Sequence, residues 1–197
     1  MAYIGFTFSV LFMSIAVLIY NSAEAFSIFT TYISDLGAAA KSSSLVYNTG
    51  MIISAPIRVV FGLYLLKFLE SKGADVKILK IIAYPIVIGA IGSVIMSVFP
   101  YDISRLLHLL GAFTYFFSAV IIQALIAKIE FKTSNMLKYL PLIGLIVVLT
   151  YVLFVSFEIS VLLSNNFRML ACFFEWMGYF SLMAWLVLHG HYTLKSK

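Results

Sequence analysis

Charge is scarce in this chain. Only 11% of its 197 residues are Asp, Glu, Lys or Arg, against roughly 25% in a soluble domain. Cysteine is scarcer still: Cys172 stands alone, which excludes an internal disulfide framework and any thiolate metal cluster. No Asn-x-Ser/Thr sequon, GxGxxG, Walker A or HExxH occurs, so N-glycosylation, dinucleotide binding, P-loop and zinc-protease chemistry all lack their motif. No internal repeat or low-complexity tract stands out. Acidic residues are outnumbered, 8 against 13 basic, giving a net charge of +5. That excess does not mark a nucleic-acid partner. The basic residues sit at the ends of apolar runs, not in a patch interleaved with stacking aromatics.

What the chain has in abundance is hydrocarbon, with 63% hydrophobic residues. An apolar run of about 18 or more residues can cross a bilayer core roughly 30 Å thick. Six runs qualify: 3–20, 45–68, 78–99, 106–127, 137–157 and 169–188. Backbone groups in lipid must bond within their own segment, so each run is expected to be a helix. The fold expected is all-α, a single polytopic domain over 1–197 with six transmembrane helices in one bundle. Short polar turns join the spans at Ser71–Asp75, Pro100–Asp102 and Lys132–Asn135, and one long connection runs from Asn21 to Ser44.

Lysine position sets the expected orientation. Lys67, Lys72, Lys77, Lys80, Lys128, Lys132, Lys138, Lys195 and Lys197 fall on one side of a six-span layout. The other side carries Lys41, Arg105 and Arg168 against Glu24, Asp35, Asp102 and Glu158. Cytoplasmic loops hold the Lys/Arg excess, so a multi-pass protein of the cell membrane with both termini cytoplasmic is expected. Ala23-Glu24-Ala25 matches a signal-cleavage pattern, but Met1–Phe6 has no positive charge and the apolar stretch exceeds a signal core. A retained first helix is therefore expected.

Charges inside hydrocarbon cost at least roughly 2.5–3.5 kcal/mol on insertion scales, so each needs a partner or a purpose. Arg58 lies nine positions before Lys67, about 13 Å by helix rise, near mid-membrane. Asn48, Ala55 and Gly62 share its stripe, and Pro56 beside it is expected to kink the helix and free carbonyls. Glu175, one heptad from Arg168 on a face with Gly178, Leu182 and His189, is the natural counter-charge. The Arg58–Glu175 pair reads either as a structural ion pair or as a ligand-binding pair. His108 opens the fourth span on a stripe of small and polar residues that continues through Ala112, Tyr115 and Ala119 to Gln123. It suits a hydrogen-bonded structural role as well as a ligand role. Glu158 is expected to be solvated at the outer surface.

Haem ligation is disfavoured because His108 lies at the opposite membrane face from His189 and His191, and His189-Gly190-His191 reads as an interfacial tail. No cofactor or metal is expected. Asp35, Asp102, His108 and Glu175 have the residue types of a lipid hydrolase, but no fixed spacing supports catalysis over binding. Gly89, Ser93 and Ser97 form a small-residue ridge for close helix packing.

The outward motifs come in an order: Ile33-Ser34-Asp35-Leu36-Gly37, Tyr47-Asn48-Thr49-Gly50, Val98-Phe99-Pro100, then His108-Leu109-Leu110-Gly111-Ala112. This order resembles the prokaryotic membrane family catalogued as domain of unknown function 998, itself similar in layout to the eukaryotic Frag/DRAM/Sfk membrane proteins. The resemblance spans about residues 1–190 and matches Ser34, Asp35, Gly37, Asn48 and His108 position by position. Ser97-Val98 stands where a glycine often precedes the Phe-Pro pair. The resemblance implies six helices and a lipid-related role, such as lipid remodelling or maintenance of bilayer asymmetry, without an agreed activity.

The expectation is thus a polar pocket in the outer half, lined by Asp35, Asn48, Arg58, Asp102, His108 and Glu175. It would bind a lipid headgroup or small polar ligand, the planar fork of Arg58 suiting a phosphate. The partners expected are membrane lipids. The alternative is a non-catalytic structural subunit partnered with other membrane subunits.

Overall fold

The computed structural model describes residues 2–133, 136–164 and 166–196. Met1, the Ser134-Asn135 part of the fourth-to-fifth turn, and Lys197 of the lysine group lie outside them. Six helices account for most of the chain: α1 (Ala2–Ala23), α2 (Ser44–Ser71), α3 (Val76–Val98), α4 (Arg105–Lys132), α5 (Tyr139–Ser164) and α6 (Arg168–Lys195). Each is long and apolar enough to cross a membrane, and no strand occurs among the described residues. Several helices outrun the apolar stretch that encodes them. Helix α4 continues from Ala127 to Lys132 and α6 from Leu188 to Lys195, because helical hydrogen bonding does not stop where hydrocarbon does.

Local chemistry sets some of the ends. Asp75 caps α3, its carboxylate accepting the Lys77 N–H at 2.8 Å. Gly73, at φ 90°, supplies the left-handed residue between α2 and α3. After α3, the Ile103 and Ser104 amides both donate to Pro100 O, making the turn tight.

Helices adjacent in sequence pack against each other, and α1 also packs on α6, so the bundle is a ring in chain order with α2 touching α6 across it. The α3–α4 pair comes closest. A Cβ on Gly92 would lie 2.8 Å from Gly111 O, and one on Gly111 would lie 2.6 Å from Met96 N. Absent side chains there bring the two backbones together. At the lysine-bearing end the interior is filled by Leu65, Leu69, Ile82, Ile126 and Trp185. Tyr3 Oη lies 3.1 Å from His191 Nδ1 and ties α1 to α6 at that end.

The long connection is not a free loop. It folds back onto the opposite end of the ring, with Tyr32, Ile33 and Leu36 buried and Ser34–Gly37 forming one 3₁₀ turn. Trp176 Nε1 donates to Thr31 O at 2.9 Å, and Lys41 pairs with Glu24.

Candidate binding cavity

Below that folded connection the ring leaves a cavity of about 300 Å³. Its wall includes four of the six residues expected from sequence: Asp35, Arg58, His108 and Glu175. Tyrosines supply much of the rest, among them Tyr32, Tyr47, Tyr115, Tyr151 and Tyr179. A second cavity of about 100 Å³, almost entirely apolar, lies toward the lysine end. Ser9, Arg58, Tyr115, Leu182 and Met183 border both, so Arg58 stands where the polar space gives way to the apolar one.

Arg58 is half-buried. It donates to Ser54 Oγ at 2.9 Å on its own helix and to Ser93 Oγ at 2.8 Å on α3. Each serine hydroxyl gives its own hydrogen to a helix carbonyl, Met51 O and Ala90 O, so each oxygen is left to accept from the guanidinium. The Tyr115 ring lies 5.6 Å from the guanidinium carbon, within cation–π range. No carboxylate oxygen among the described residues comes within 4 Å.

The expected Arg58–Glu175 pair therefore does not form. Glu175 lies seven residues into α6, about 10 Å from its start, while Arg58 lies fourteen residues into α2, about 21 Å from its start. Both helices start at the same end of the bundle and both side chains lean toward their helix N-terminus, so the offset persists. Glu175 Oε2 instead accepts the Ile33 N–H at 2.7 Å and holds the connection down. Nor does Arg58 use carbonyls freed by Pro56; its polar contacts are hydroxyls.

Asp35 accepts the Tyr32 N–H at 2.9 Å and faces Arg168 at 3.5 Å. Burial pushes its carboxyl above the usual range, with the Tyr32 amide and Arg168 pulling the other way. His108 is buried, with Nδ1 3.1 Å from Met96 O and 3.2 Å from Phe99 O. Both neighbours are acceptors, so Nδ1 carries the proton and closes the end of α3, leaving Nε2 for the cavity.

Asn48 and Asp102 lie off the cavity wall. Asn48 Nδ2 donates to Gly37 O and Ser44 Oγ, fixing the 3₁₀ turn onto α2. Asp102 accepts the N–H groups of Ala39 and Ala40 at 2.9 and 3.0 Å. Desolvation acts to raise the Asp102 carboxyl, but these amide donors outweigh it and hold it below the ordinary range.

Two further expectations are corrected. Glu158 lines the cavity, with Oε2 shut off from solvent, because the stripe that carries Tyr151 inward also carries the residue one heptad on. His189 belongs to no interfacial tail: it is fully buried against Glu130, since α6 continues past it and packs that face into the ring. Sequence reasoning missed Ser54, Tyr115 and Tyr32 as wall residues and Ser93 as a partner of Arg58. The signal for Ser93 was present, but a small residue in a packing ridge gives no sign that its hydroxyl also serves an arginine.

Against known proteins, the chain matches over residues 7–192 the family described as Protein of unknown function (DUF998), and it belongs to that family. No curated protein and no solved structure matches it.

Proposed function

We propose, from membership of a family without an assigned activity, that this protein binds an amphiphile whose anionic headgroup, a phosphate or carboxylate, sits against Arg58. One observation carries this reading: a guanidinium deep in a membrane-spanning helix lines a cavity with no carboxylate beside it. Serine hydroxyls and an aromatic face ease its burial but do not cancel its charge. Of the five N–H donors of an arginine, two are engaged by Ser54 and Ser93, leaving three for an oxyanion. The apolar space beyond Arg58 accommodates hydrocarbon.

The orientation consistent with the lysine collar places this cavity on the outer side of the cell membrane, with both termini cytoplasmic. A structural reading has support of its own, because the Arg58–Ser93 bond ties α2 to α3. Mass spectrometry of lipid retained by purified wild type, Arg58→Gln and Ser93→Ala separates the two. Binding predicts that acidic or phosphate-bearing lipid is lost from Arg58→Gln and largely kept by Ser93→Ala. Equal lipid content in all three, with both variants losing melting temperature alike, leaves only the structural tie.

A further inference from the structure

Two polar atoms on the wall of the same cavity have no partner. Tyr32, 8% exposed, has a buried hydroxyl without a hydrogen bond, and Glu158 Oε2 is likewise buried and unbonded. The Tyr32 hydroxyl and the Glu158 carboxylate face each other at the edge of hydrogen-bonding range, but the contact falls short of good geometry and leaves Oη and Oε2 without a close partner.

The charges around them are otherwise accounted for. Arg168 lies over the Tyr32 ring at 4.7 Å, with its polar contacts on Thr30 O and Asp35 Oδ2. Glu175 is held by the Ile33 amide. Arg105 is exposed and stacks on Tyr101. Among the described charges lining the cavity, Arg58 has no carboxylate within 4 Å and Glu158 has no cation within 4 Å.

We infer that Glu158 and Tyr32 form an ammonium site, so that the ligand is an aminoalkyl phosphate: phosphate on Arg58, primary amine on Glu158 Oε2 and Tyr32 Oη. This rests on the reading of Arg58 given above and names its ligand class. A primary ammonium has three N–H donors, enough to satisfy both orphan oxygens, whereas a quaternary ammonium has none. The two poles lie at different depths in the bundle. By helix rise from Ser44 and Ser164, Ser54, beside the guanidinium, lies about 15 Å into the bundle and Glu158 about 9 Å. The poles are thus several ångströms apart along the bundle axis, the phosphate pole on α2 and the amine pole on α5.

The test uses the full chain in nanodiscs holding equal amounts of phosphatidylethanolamine, phosphatidylcholine and phosphatidylglycerol, followed by native mass spectrometry of the lipid retained on extraction. Wild type is expected to retain the ethanolamine lipid over the choline lipid by about tenfold, equivalent to ~1.4 kcal/mol. Glu158→Gln and Tyr32→Phe each reduce that preference toward unity. Either variant carries the test if the other fails to fold. Arg58→Gln lowers retention of all three. A second arm adds free O-phosphoethanolamine to delipidated protein. A rise in melting temperature that Glu158→Gln abolishes supports the same site with a soluble ligand as its source. Equal retention of ethanolamine and choline lipids by wild type overturns the ammonium site, as does an undiminished preference in both variants. Only an Arg58→Gln protein that keeps its phospholipid overturns the parent reading.

Discussion

His189 Nε2 lies 2.8 Å from Glu130 Oε1, and both side chains are shut off from solvent. The other ring nitrogen, Nδ1, is 2.9 Å from Trp185 O and must carry a hydrogen. The Nε2–Oε1 contact then also needs a proton between its two atoms. An imidazolium with a carboxylate and a neutral imidazole with a protonated carboxyl both provide one, and they hold the same number of protons. The pair is neutral as a unit either way.

That neutrality makes Glu130→Ala and Glu130→Gln differ. The alanine leaves a buried imidazole without its partner, and breaking a buried pair on one side costs about 3–5 kcal/mol. The glutamine amide donates to Nε2 and keeps the bond, so most of the stability is expected to remain. Melting temperatures in one detergent decide it. If both variants melt alike, the pair does not hold α4 to α6.

Arg58 and Glu175 sit apart, so their substitutions should be independent. In a cycle of Arg58→Met, Glu175→Gln and the double variant, stability changes are expected to add within about 0.5 kcal/mol. A cycle of Arg58→Met with Ser93→Ala should deviate further, because those two side chains share a hydrogen bond. A large coupling in the first cycle would contradict the geometry described.

Gly111 tests the closest helix contact. Gly111→Ala places a methyl against the α3 backbone, and overpacking of this kind typically costs about 1–3 kcal/mol. Ala112→Gly, one residue along, lacks that clash and serves as the control. Equal melting temperatures for Gly111→Ala and wild type would mean the two helices separate freely.

Acid should loosen the 24–43 connection. Asp102 is held below its ordinary value of 3.8 when folded. A carboxyl depressed in the folded state stabilises above its unfolded value, and that contribution is lost as pH falls through the folded one. The Asp102 contribution to protease resistance is therefore lost below about pH 4, against an opposing gain from Asp35, whose carboxyl is held above its usual range. Asp102→Asn is expected to be cleaved faster at neutral pH and to show a smaller acid step. A step remains because the bond to Lys41 also holds Glu24 low. Identical pH profiles would show that the Ala39 and Ala40 contacts do not secure the segment.

The spans were legible because lipid leaves a backbone no alternative to the helix, and Arg58 because a charge in an apolar run is conspicuous. The partners of Arg58 were not. Charge arithmetic points to Glu175, while the geometry selects Ser54, which nothing in the sequence singles out, and Ser93, which reads as a packing residue. Glu158 and Glu130 sit near helix ends, where composition alone treats a carboxylate as solvated. Only the ring closure that turns them inward shows otherwise. Asn48 and Asp102 read as site residues because they fall on the outward half with the other polar residues; they serve the backbone of the connection instead.

The anchors of the connection set an order on how the protein is made. Residues 31 and 33 leave the ribosome well before residues 175 and 176, which fasten them across sequence gaps of 142 and 145 residues. Chains are delivered N-terminus first, and contacts between distant residues form late. During synthesis α2 to α5 are thus assembled around a mouth that α6 has yet to close, and the Thr31–Ile33 part of the roof is fastened only when the last helix arrives. A nascent chain stalled before residue 168 should carry five helices, with residues 37–41 of the connection anchored and residues 31–33 not.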